Sequence, residues 1–159
     1  MRKKRQYKRD HKPDVVYGNV AVTRFVNYLM SGGKKVAAEK VMYGALEEVK
    51  KTIKAEEPLD VFLKAIENIS PQIETVSRRV GGANYQIPEE VRPERKFILA
   101  ARWLIAATRG KKGKPMSIKL AEEIILAHKN EGAAIKKKLD VHRIAEANRA
   151  FAHFARRRT

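Results

Sequence analysis

Cysteine is absent from the 159 residues, which excludes disulfides, thiolate metal sites and thiol catalysis and leaves the redox compartment unspecified. No stretch reaches the ~18 consecutive apolar residues of a membrane span. The positive N-terminus has the charge of a signal peptide's first segment, yet no apolar core follows, because Thr23, Arg24 and Asn27 interrupt Val20–Met30. A soluble, cytoplasmic protein is expected. Internal repeats are missing, and so are low-complexity tracts outside the basic ends. Acids are scarce: 18 Asp/Glu stand against 35 Lys/Arg, a formal net charge of +17.

Catalytic patterns are missing too. Gly33–Lys34 has the end of a phosphate-binding loop, but Tyr28 stands where that pattern needs glycine and Lys35 where it needs Ser or Thr. It reads instead as a glycine helix terminator followed by a basic helix start. Two lysines there oppose the helix dipole, which points to an external anion. His11, His128, His142 and His153 have no helical-spacing partner, so no metal site is expected. Glu47–Glu48, Glu89–Glu90 and Glu122–Glu123 are adjacent pairs, and neighbours on a helix do not face each other. The sequence predicts no enzyme, no cofactor and no small-molecule substrate.

What is present is clustered positive charge. Residues 1–13 carry net +6, residues 14–108 net +2 and residues 109–159 net +9. A nearly neutral body between two basic ends is the electrostatic footprint of nucleic-acid binding. Acidic lipid is the other common partner for basic segments, but these ends lack the apolar face of an interfacial helix.

The body is predicted to be mainly α, one domain over residues 14–159 preceded by a basic arm at 1–13 expected to be disordered in isolation. Apolar spacing marks six helices. Val22, Phe25, Val26 and Leu29 face inward from the first, which Ser31–Gly32–Gly33 ends. Ala38, Val41, Met42, Ala45, Val49 and Ile53 line the second. Glu56–Glu57–Pro58 opens the third, with Leu59, Phe62, Leu63, Ile66 and Ile69. Pro93–Glu94 opens the fourth, and a basic loop, Arg109–Pro115, leads to a fifth capped near Ser117. A long sixth helix is expected over about 132–155, with a thin alanine-rich stripe.

Between helices three and four, TVSRRVGGANYQIP (Thr75–Pro88) alternates on both sides of Gly81–Gly82. That predicts a protruding two-stranded hairpin at about residues 73–88. Each arm would be about 20 Å long, and an isolated hairpin is marginal in water. With Arg78 and Arg79 near its tip, a polyanion is the expected ordering partner, and Tyr85 across the turn is a candidate for base stacking. Trp103 is expected to be partly buried in the core.

The segments SGGKKVAAEKVMYGAL (Ser31–Leu46), VSRRVGGANYQIPEEVRPERK (Val76–Lys96) and HRIAEANRAFAHFARRR (His142–Arg158) closely resemble the family of bacterial small-subunit ribosomal protein number seven, over the whole chain. The resemblance implies six helices with the inserted ribbon and a non-catalytic protein. It also implies primary binding of the small-subunit ribosomal RNA that forms the head, nucleating its assembly. It places the arm bearing Arg78 and Arg79, and the tail around Phe151–Arg158, near the messenger path and exit-site transfer RNA, beside neighbouring head and platform proteins.

Candidate phosphate contacts follow from the charge pattern. Arg2, Lys3, Lys4, Arg5, Lys8 and Arg9 form the first anchor, Lys34 and Lys35 a second, and Arg109, Lys111, Lys112 and Lys114 a third. Lys136, Arg143, Arg149 and Arg156 extend the set to the C-terminal end. Against a DNA-binding regulator stands the lack of apolar heptads for a dimer seam, and against an RNA-modifying enzyme the lack of a cofactor loop or acid/base set.

Overall fold

The computed structural model describes residues 11–53 and 57–155, with Val80 described by its backbone alone. The elements run α1 (Val20–Leu29), α2 (Lys35–Ile53), α3 (Pro58–Ile69), β1 (Ile73–Val80), β2 (Ala83–Glu90), α4 (Pro93–Gly110), α5 (Met116–His128) and α6 (Ala133–Ala147), then a 3-10 segment, Arg149–Phe154. Mainly helical architecture with a ribbon between the third and fourth helices therefore stands as the pattern predicts.

Local chemistry sets the helix starts. The Asn19 side chain accepts from the Ala21 amide at 2.7 Å and caps α1. Pro58 and Pro93 open α3 and α4, where a missing N–H costs nothing. Gly32 and Gly33 both take left-handed conformations, φ 60 and 74, between α1 and α2. Ser117 is not a cap: α5 begins at Met116, directly after Pro115. Ser117 instead faces Gly44 of α2, where an added Cβ would stand 3.4 Å from that of Ser117.

The apolar faces meet in one core. Phe25 of α1 and Phe62 of α3 are fully buried and pack edge to face, 5.2 Å between centroids at 76°. Met42, Leu46, Leu104, Leu120 and Ile124 fill the space around them, and Trp103 packs half-buried at its rim. Ahead of α1, Asp14 receives the amides of Val16 and Tyr17 and the Tyr43 hydroxyl at 2.8 Å. Burial, together with that bond to Asp14, pushes the Tyr43 phenol up to about 12.

The C-terminal helix departs from expectation. The predicted helix over 132–155 stops at Ala147; Asn148 closes it, its amide and its side chain both donating to Ile144 O, and the chain tightens into the 3-10 segment. The cause is tertiary. Phe151 and Phe154 both lie against Tyr85 of β2, with centroids 5.0 and 5.8 Å away.

The hairpin also packs against the chain's own body. Its register pairs Ile73 with Glu90 and Val80 with Ala83. Ile87 on its inner face is fully buried, and the ribbon rests on α6 and the 3-10 segment. At its foot the Gln72 amide donates to His142 Nε2 of α6 at 3.3 Å, and Arg95 of α4 holds Glu74 at 2.6 Å.

One buried acid joins the last two helices. Glu123 of α5 is fully buried; its Oε1 accepts from the Ala134 amide at 3.0 Å, and its Oε2 lies 2.7 Å from Lys111 Nζ. It thus caps α6 from outside. Gly132 stands at the entrance with φ 97, and a Cβ there would come 2.8 Å from Glu123 Oε1 and 3.1 Å from Leu126 Cβ. Both the left-handed backbone and the carboxylate exclude a side chain. Gly132→Ala should therefore destabilise the fold by about 1–3 kcal/mol, and Glu123→Ala by about the same for an orphaned buried donor. Urea midpoints with unchanged slopes check both; a Gly132→Ala midpoint equal to the parent would refute the account.

Candidate nucleic-acid interface

The +17 charge divides into cations the fold uses and cations it leaves facing water. Three arginines of α4 belong to the first group. Arg95, Arg102 and Arg109 are spaced by seven and so share a face of the helix. Arg95 holds Glu74, Arg102 lies over the Tyr28 ring at 6.0 Å, and Arg109 Nη2 donates to Leu29 O at 3.1 Å, closing the C-terminus of α1. Arg24 packs over Phe97 at 4.4 Å. Arg24 and Arg102 had no signal in the sequence, because their partners lie on another helix.

The loop after α4 is more committed than its composition suggests. Lys111 is bound to Glu123, its carbonyl accepts from Lys119 Nζ at 2.7 Å, and Lys114 pairs with Glu122. The Lys114 bond holds the Glu122 carboxyl below the usual range. Only Lys112 of the loop lysines is exposed without an ion pair or hydrogen bond among the described residues.

Around the second predicted anchor the residues do converge. A groove of about 220 Å³ lies between the end of α1, the start of α2, the end of α4 and the start of α5. Lys34 and Arg109 line it together with Ser31, Val41 and Met116. Lys34 is exposed and its side chain has no ion pair among the described residues; Lys35 is 3.5 Å from Glu39, a weak exposed pair. The arrangement can hold an anion at the groove rim, with one Arg109 donor already engaged and four uncommitted.

On α6 the lysine run splits. Lys136 and Lys137 are exposed, whereas Lys138 Nζ donates to Asn68 O at 2.6 Å and burial lowers its pKa. Asn68 in turn donates to the carbonyls of Ala127 and His128, so the ends of α3 and α5 meet beside the body of α6. Arg143 pairs loosely with Asp140 at 3.3 Å, and Arg149 is exposed at the start of the 3-10 segment.

The hairpin separates its two arginines. Arg78 lies opposite Tyr85 and is paired with Glu89, while Arg79 lies opposite Asn84 on the other face and is exposed. Tyr85 is covered by Phe151 and Phe154, so it is not an open stacking surface here. Arg2, Lys3, Lys4, Arg5, Lys8, Arg9 and Arg156 lie outside the described residues.

Comparison with known proteins gives the class of molecule this charge pattern belongs to. Residues 1–149 match the family model described as ribosomal protein S7p/S5e, and the chain belongs to that family. It is 53% identical over 154 residues to the small ribosomal subunit protein uS7 of Thermotoga neapolitana, covering 97% of this chain and 99% of that one. The protein of the same name from Bartonella tribocorum is 50% identical over 153 residues, covering 96% and 97%, and that of Bdellovibrio bacteriovorus is 48% identical, covering 96% and 98%.

One titration follows from the hairpin foot. Burial, then the nearby Lys138 charge, lowers the His142 pKa. Its Nε2 accepts from Gln72, so this contact needs the neutral ring. The stabilisation is complete above the unfolded value of about 6.5 and lost as pH falls through the depressed folded value. The Gln72 amide resonance should shift with the His142 ring at a common midpoint below about 6.5; a midpoint at or above that value would contradict the assignment.

Proposed function

We propose that this chain is a structural constituent of the bacterial small ribosomal subunit, working in the cytoplasmic ribosome and not as an enzyme. It binds the ribosomal RNA of the subunit head as a primary binder and nucleates head folding. Its ribbon and C-terminal end lie near the messenger path and exit-site transfer RNA, among head and platform proteins. The observation that carries this reading is the family match together with uncommitted cations on several sides of a folded body: Lys34, Lys112, Lys136 and Arg79 among the described residues, and the basic arm in the sequence.

The physics is that of a shape reader. A rigid helical body presents cations at fixed spacing, A-form grooves hide base edges, and phosphates supply the affinity. Each phosphate neutralised contributes about 0.7–0.9 to the logarithmic salt slope. The division of cations sharpens the test. Lys34→Ala with Lys112→Ala should weaken binding to a head-domain RNA fragment and flatten the salt slope without moving the unfolding midpoint. Lys111→Ala should move the midpoint instead. Removal of Met1–Lys12, which takes away seven Lys/Arg, should flatten the slope further. The experiment is a salt-titrated competition between that fragment and duplex DNA of equal charge. RNA preference that persists as salt rises supports the reading, and equal competition at every salt overturns it.

A further inference from the structure

Two exposed apolar side chains stand side by side ahead of α1. Val15 is 97% exposed and Val16 62%. A lone surface valine is ordinary, but these two sit on a turn that is fastened at both ends and from beneath. The Asp14 amide donates to Asn19 O at 3.3 Å and the Gly18 amide to Asp14 O at 2.9 Å, which closes the turn on itself. The buried Asp14 carboxylate takes the Val16 and Tyr17 amides on one oxygen and the Tyr43 hydroxyl on the other, which pins the turn to α2. Gly18 reverses the chain with φ 60.

The turn is therefore a rigid knuckle. Its inward residues go to the body, Tyr17 packing with its ring 6.2 Å from that of Tyr43; its outward ones are the two valines. Both are held in place before any partner arrives, so burying them costs little further conformational entropy.

Charge indicates what arrives. The knuckle continues directly from the basic stretch at residues 1–13, net +6, and Lys12 is exposed without an ion pair among the described residues. That edge draws a polyanion. The large apolar surface of an RNA is the face of a base. In a continuous duplex those faces are stacked away, whereas at bulges, loops and helix ends they are open, and apolar side chains pack on them there.

We propose that the Asp14 turn is an apolar contact for RNA, with Val15 and Val16 packed on the face of an unstacked base at a junction or helix end. This rests on the RNA-binding reading above and adds to it a contact that carries no charge. It persists at salt concentrations where counterion release fades, and an uninterrupted duplex cannot supply its partner.

The test uses the full chain, the head-domain RNA fragment and an uninterrupted RNA duplex of equal charge. Val15→Ser with Val16→Ser should bind the fragment on the order of tenfold more weakly, the factor for burying about one valine's apolar surface. Its salt slope and unfolding midpoint should equal the parent's, because no charge is lost and both side chains are exposed. Its heat-capacity change on binding should be less negative, and its affinity for the duplex should equal the parent's. Val15→Ile with Val16→Ile, which keeps the apolar surface, should bind the fragment as the parent does. A serine variant as tight as the parent overturns the contact, and so does a changed salt slope. An equal loss on the duplex overturns the base face. A parent that still prefers the fragment to duplex DNA spares the RNA reading in each of these cases, and a parent without that preference overturns both.

Discussion

Glu123 is the acid on which the C-terminal half of this basic protein depends. It is fully buried, and it answers two groups that would otherwise stand unpaired, the ammonium of Lys111 and the amide of Ala134. A buried charge of this kind is tolerated only when paired and hydrogen-bonded. By capping α6 from α5 it sets where α6 begins and which way it leaves. Everything further along hangs on that direction: Lys138 on the end of α3, His142 under Gln72, and the 3-10 segment across β2.

The same economy explains where positive charge is spent. Arg109, Lys111 and Lys114 look in the sequence like partners for phosphate, yet each closes a helix end or binds an acid, and Lys138 likewise binds the end of α3. Those contacts hold α1, α4, α5 and α6 at fixed angles, which is what a reader of RNA shape requires. Among the described cations left without a partner, Lys34, Lys112, Lys136 and Arg79 sit on different elements of that frame. A protein can thus be strongly basic and still have a selective surface, because the structure decides which charges are available.

Much of the architecture was legible from periodicity. Phe25, Met42, Phe62 and Ile69 announced the inward faces, and the alternation around Gly81–Gly82 announced the ribbon. Alternation also contained the separation of Arg78 from Arg79, since neighbours in a strand face opposite ways. The roles of Glu123 and Arg109 were not legible. Glu122–Glu123 looks like an ordinary solvated pair, and only the approach of α6 makes the second residue a cap. The end of α6 was hidden for the same reason: nothing between 148 and 155 breaks a helix, and the ring that redirects it is more than sixty positions earlier, at Tyr85.

The two-stranded ribbon has a cost that its base contacts do not remove. Among the described residues the sheet holds β1 and β2 alone, so each strand keeps one flank of N–H and C=O groups that no other described strand pairs, a ready template for another extended chain. Pro88 interrupts the donor row on β2, and Arg79 and Glu90 set charge along the rims. Those guards are the ones strand edges carry against pairing between copies, and the net charge of +17 adds repulsion to them.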